Sequence, residues 1–145
     1  MNEEQALAVW LATELAADAG VSALVSSRIY EAQGPQGATF PYVVFALNRG
    51  ADTHFSGSNG RAFSRIRYVV RAVTEGNSFA RADVIARAVD AALVGRDEVV
   101  TVDGQGYHIQ VVGRETPVRY PETVEGVRYN HVGGIYFFWV AATLT

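Results

Sequence analysis

Two short stretches of this chain are apolar at both parities: Pro41-Tyr42-Val43-Val44-Phe45-Ala46-Leu47 and Ile135-Tyr136-Phe137-Phe138-Trp139-Val140-Ala141-Ala142. A strand sends successive side chains to opposite faces. A run that is apolar in both registers is therefore a strand buried on both faces. Their length and their content of β-branched and aromatic residues favour strand over helix. The chain is thus expected to form around a sheet whose central strands need cover on either side. Pro41 suits the first residue of a strand, where a missing N–H does least harm.

The remaining elements are read against that sheet. Leu7, Trp10, Leu11 and Leu15 recur at helical spacing, so Asn2 to about Ala17 reads as a helix. Asn2 is its candidate cap, Glu3 and Glu4 favour its positive end, and Gly20 is a plausible stop. A further short turn is expected at Ser22 to Ser26. Ser78 to Val94 carries Val84/Ile85, Ala88/Val89 and Ala92/Leu93 in steps of four, the clearest helix in the chain. Asn77 or Ser78 can cap it, Asp83 and Arg87 can pair across one turn, and Gly95 can end it. Arg28-Ile29-Tyr30 begins a short strand that runs into the breaker loop Gly34-Pro35-Gln36-Gly37. Phe63 to Val73 alternates, with Ile66, Tyr68, Val70 and Ala72 on one side and Arg65, Arg67 and Arg71 on the other. Glu98 to Val102 and Tyr107 to Gly113 form a hairpin through Asp103-Gly104-Gln105-Gly106. Asn48 to Ala62, rich in glycine and serine, reads as a long loop or the tip of an extended hairpin. Glu115 to Gly126, with two prolines, reads as a second loop.

This order predicts a single α+β domain. Its sheet would be mainly antiparallel, with four to five strands and two helices packed on one face. Two helices cover one face only, and large exposed apolar patches are uncommon on monomers. A neighbouring subunit is the simplest cover for the other face. The alternative is that segments 34–39 and 115–126 fold over it.

Composition excludes several classes. With 145 residues, 49% hydrophobic and 19% charged, the chain can bury one ordinary core. It has no cysteine, hence no disulfide, thiolate metal site or cysteine nucleophile, and a reducing cytoplasm suits it. All 12 basic residues are arginine, so Ser56-Gly57-Ser58-Asn59-Gly60 lacks the lysine of a phosphate loop. A net charge of −3 and a pI of about 5.6 argue against a general nucleic-acid binder. No apolar run is long enough for a membrane helix, and the acidic start Asn2-Glu3-Glu4 is unlike a secretory signal. His54, His108 and His131 are scattered without metal-ligand spacing, so neither a metal nor another cofactor is expected. Gly104-Gln105-Gly106 reads as turn glycines. Asp52, Asp97, Glu98 and Asp103 show no sign of converging as catalytic acids. Tyr136 to Trp139 read as core rather than as a base-stacking platform.

The pattern also resembles a known family. An N-terminal helix, Arg28-Ile29-Tyr30, a Gly/Pro/Gln loop and Phe40-Pro41-Tyr42-Val43-Val44-Phe45 look like the opening of the tail-completion (tail terminator) proteins of long-tailed bacteriophages. The helix Ser78 to Val94, the hairpin, and Arg128-Tyr129-Asn130-His131-Val132-Gly133-Gly134-Ile135-Tyr136 leading into an aromatic strand are similar to that family's second half. The resemblance runs from about Leu7 to Ala142, and its most specific part is Arg-Ile-Tyr followed by Pro-Tyr-Val-Val.

The resemblance implies a structural protein of the virion tail or neck, assembled in the host cytoplasm, with no reaction to catalyse. Such proteins look like ring-forming subunits, usually hexameric, that cap the completed tail tube and stop its polymerisation. They also join it to the head-side connector protein, and DNA passes through the lumen without specific binding. Candidate contact residues are Phe55, Ser58, Asn59 and Arg61 near the glycine-rich segment, Arg65, Arg67 and Arg71 on the alternating strand, and Glu115, Glu122 and Glu125. The arginines read first as a solvated or salt-bridged sheet face, then as partners for those glutamates across subunits. A head-side connector or head-closure subunit is the alternative within the virion. A small-molecule-binding or enzymatic α+β domain, with its pocket under segment 48–62, is the alternative outside it.

Overall fold

The computed structural model describes residues 3–54 and 61–143, with backbone alone at 51–54 and 61–62. Three helices, α1 (Glu3–Ala17), α2 (Ala19–Val25) and α3 (Ala80–Leu93), accompany six strands. The strands are β1 (Ile29–Glu31), β2 (Tyr42–His54), β3 (Arg61–Glu75), β4 (Asp97–Val102), β5 (Gln105–Val124) and β6 (Val127–Ala142). They form one sheet in the order β1-β2-β3-β6-β5-β4, curled into a half-barrel.

This corrects the fold expected from sequence. The sheet has six strands rather than four or five, it is mixed because β1 pairs with β2 in parallel, and there are three helices rather than two. β1 is too short to show a period. α2 is a single seven-residue piece that sequence suggests only as a turn. Gly20, expected to stop α1, lies inside α2. The break is made instead by Asp18, whose extended backbone ends one helix while its side chain caps the next at Val21 N (2.9 Å).

Two hairpins run further than the strands read from sequence. β2 runs on to His54 and β3 starts at Arg61, so most of the glycine-rich segment is paired strand, and residues 55–60 lie outside the described residues. Likewise Glu115 to Val124, expected as a loop, continues β5 and pairs with β6 up to Val124↔Val127. A tight turn at Glu125 and Gly126, both with positive φ, closes that hairpin.

The core lies between the helices and the concave inner face of the sheet. Leu7, Trp10, Leu11 and Leu15 of α1 are buried there, as are Ala82, Ile85, Val89 and Leu93 of α3. They meet Val43, Phe45, Ile66, Tyr68, Val70, Ile109, Tyr136, Phe138 and Val140 from the strands. Val84 points out to solvent instead, and Asp83 pairs with Arg119 (3.0 Å) of β5. Asn2 lies outside the described residues, and Ser78 Oγ accepts from Ala80 N (3.1 Å) at the start of α3.

Polar ties lock the helices onto the sheet. The Trp10 indole N–H donates to Glu98 of β4, and Arg96 bonds both Glu98 (3.3 Å) and Glu14 (2.6 Å). The Trp10 hydrogen bond, reinforced by Arg96, holds the Glu98 carboxyl below its ordinary pKa. The Tyr136 hydroxyl donates to Asp90 (2.7 Å) of α3.

Candidate functional site

The outer face of the sheet carries the residues singled out from sequence. On β3 the alternation places Ile66, Tyr68, Val70 and Ala72 inward and buried, and Arg65, Arg67, Val69 and Arg71 outward. Register sets Arg65 opposite Trp139, Arg67 opposite Phe137, Val69 opposite Ile135 and Val73 opposite His131. This face falls into three zones.

At one end it is closed by the chain itself. Phe40 packs on Tyr42 and stacks on Tyr129, each with ring centroids 5.1 Å apart, and Val44 and Val73 are buried. The residue just after segment 34–39 thus gives local cover. Segment 115–126 does not fold over the face but lengthens the sheet, from where Tyr120 and Glu122 reach His131.

The middle zone is polar. Arg67 donates to both carboxylate oxygens of Glu115 (2.7 and 3.1 Å), and its guanidinium lies 4.5 Å over the Phe137 ring. Arg71 donates to His131 Nδ1 (3.2 Å), and His131 Nε2 faces Glu122 (3.4 Å). The imidazole stacks on Tyr120, with centroids 4.6 Å apart. Burial, helped by the Arg71 charge and opposed by Glu122, pushes the His131 pKa below its ordinary value. A neutral ring fits the contacts, since it accepts at Nδ1 and donates from Nε2.

The third zone is open and apolar. Val99 is 63% exposed, Val112 50% and Trp139 42%, on the adjacent strands β4, β5 and β6. Phe63 leans on Trp139 at 5.1 Å, and a shallow hollow of about 220 Å³ lies between Phe63, His108, Gln110 and Trp139. Ile135, expected to be buried on both faces, is only half-buried because it points outward.

Beside the polar zone, a notch of about 330 Å³ is lined by Arg49, Gly50, Arg65 and Arg67. Arg49 reaches it because a β-bulge between Leu47 and Arg49 shifts the parity of β2. Sequence alternation alone does not reveal that.

The remaining candidates are dispersed. Phe55, Ser58 and Asn59 lie outside the described residues, Arg61 is described by its backbone pairing with His54 alone, and Glu125 sits in the β5–β6 turn. His108 contacts Asp97, far from His131, and no three metal-binding side chains gather among the described residues. On the inner side, a groove of about 630 Å³ opens between α1 and the β1–β2 edge. Glu4, Glu31, Val9, Leu47 and Tyr68 are among its walls, and no basic side chain lines it among the described residues.

Residues 10–122 match the family described as Tail completion protein gp17. The chain belongs to that family. It is a structural protein of a phage-type virion tail. Its fold is shared with a chain from the virion of a native gene transfer agent particle (TM-score 0.56, 23% identity, 92% of each chain covered). A second solved structure shares the fold at 15% identity, covering 94% of this chain and 96% of its own, with a TM-score of 0.55. No curated protein matches the sequence.

Proposed function

We propose that this tail completion protein is a tail terminator. Its subunits close into a ring, hexameric as in the proteins it resembles. The ring caps the tail tube, stops tube growth and offers its far side to the head-side connector protein. The observation that carries this reading is the open apolar zone of the outer face. Val99, Val112 and Trp139 are exposed on three adjacent strands, with His108 and Gln110 between them, on the face turned away from the chain's own helices. Withdrawing such surface from water is worth roughly 25 cal/mol per Å², and a neighbouring subunit is the cover at hand.

Beside this zone, Arg65, Arg67 and Glu115 supply polar groups of the kind an interface rim needs, and Arg71, Glu122 and Glu125 lie farther along the same face toward the β5–β6 turn. Phe55, Ser58, Asn59 and Arg61, in the segment of sequence between β2 and the start of β3, are assigned to contacts with tube or connector. The role is non-enzymatic and needs no cofactor. With a net charge of −3, the assembled wall would not hold passing DNA by attraction.

The test is direct. Purified protein is examined by sedimentation and electron microscopy, alone and with tail tubes. Closed rings that bind tube ends, and overlong tubes when the protein is withheld, are the expected result. A monomer at all concentrations that leaves tube length unchanged overturns the reading.

A further inference from the structure

We infer that the notch formed by Arg49, Arg65 and Arg67 receives the acidic tip of the β5–β6 hairpin, with Glu122 and Glu125, from a second copy of this chain. This rests on the ring reading above and supplies its joint.

The notch is a concentration of positive charge without enough acid. Among the described residues, Glu115 is the one carboxylate bonded to any of the three guanidinium groups, and it is already engaged by two nitrogens of Arg67. Arg49 and Arg65 form no ion pair among the described residues. A guanidinium stays charged at any working pH and its planar fork matches a carboxylate. Two such groups facing a 330 Å³ hollow make a receptor for acidic side chains.

The hairpin tip has the opposite character. Glu125 forms no ion pair among the described residues, and Glu122 is 54% exposed with one long contact to His131. The nearby cations are turned away: Arg119 and Arg128 lie over Phe79, at 4.4 and 4.9 Å, and Arg119 also holds Asp83. The charge left free at the tip is therefore negative. Val124 and Val127 flank it, 48% and 36% exposed, and give the contact an apolar collar.

Within one chain the two features cannot meet. Arg67 stands opposite Phe137, whereas the turn lies at Glu125 and Gly126 at the far end of β6. At about 3.3 Å per residue the separation is roughly 36 Å, and the hairpin is held in the sheet along its length. Knob and receptor are distinct patches of the same chain. That is the heterologous contact which lets identical copies close a ring.

The experiment uses the whole chain and charge reversal. Sedimentation velocity and electron microscopy compare the unaltered protein with Arg65→Glu, with Glu125→Arg and with the double variant, at low and high salt. Circular dichroism checks that each is folded, and Arg49→Glu replaces Arg65→Glu if that variant unfolds. Each single reversal is expected to weaken association about tenfold, the double variant to restore it, and high salt to mimic the single reversals. If the unaltered protein forms rings and both single reversals assemble equally well, this joint is wrong while the ring stands. Loss in the singles without restoration in the double also overturns it, because the two sites then do not meet. So does unaltered assembly combined with loss of double-stranded DNA binding in Arg65→Glu. If the unaltered protein never leaves the monomer, the ring reading fails and this inference with it.

Discussion

His131 is a buried imidazole wedged between Arg71 and Glu122 and stacked on Tyr120. Its pKa is lower in the fold than in the open chain, so folding favours the neutral ring. The sign follows from linkage: the unfolded state binds more protons over the interval between the two values. Stability from this residue is full above about pH 6.5 and is lost as the pH falls through the folded value. Denaturant melts between pH 7 and 5 should show a falling midpoint, and His131→Gln should flatten that slope. Glu98 behaves alike at more acid pH, because Trp10 and Arg96 hold its carboxyl low. Its contribution is present above about pH 4.3 and disappears below.

Gly133 and Gly134 stand together in the middle of β6, but their surroundings differ. A Cβ on Gly133 would sit 2.0 Å from the Val70 carbonyl oxygen, on the backbone of β3. On Gly134 it would meet the Arg114 side chain at 2.3 Å, a group that can swing aside. Gly133→Ala is therefore expected to cost about 3 kcal/mol, by forcing two strands apart, and Gly134→Ala about 1 kcal/mol. Urea unfolding of the two variants compares them.

The elements that sequence makes legible are those that bury at least one face. α1, α3, the alternating half of β3 and the twin apolar runs of β2 and β6 all bury a stripe, and the stripe is the signal. The outer half of β5 buries almost nothing. Arg114 to Val124 is exposed on nearly every residue and held by backbone pairing to β6, so its proline-bearing sequence reads as loop. For the site, the outward arginines were legible by parity. Glu115 reads from sequence as a partner across subunits, whereas Arg67 holds it within the chain, forty-eight positions away, and Arg49 joins only through a bulge.

At the scale of the whole molecule, the chain covers one end of its outer face with Phe40 and leaves the other bare. Val99 and Val112 lie in that bare zone and touch little of their own chain. Val99→Asp and Val112→Asp should therefore shift monomer stability by no more than about 0.5 kcal/mol. They should nevertheless lower the yield of joined, infectious particles, counted by titre. Unchanged titres with both variants would mean that no partner rests there.

Beyond Gln110 no described strand pairs with the outer side of β5, and this free margin carries Pro117 and Pro121, four residues apart on one side of the strand. Two amide donors are thus missing from a single row, which is how natural sheets keep strangers from zipping on. Copies that approach there cannot stitch their backbones into an endless ribbon. They must clasp through side chains, and a clasp of that kind lets go when misplaced. In the proposed ring, an unassembled copy can then wait unpolymerised, and a wrongly seated copy can leave before the circle shuts.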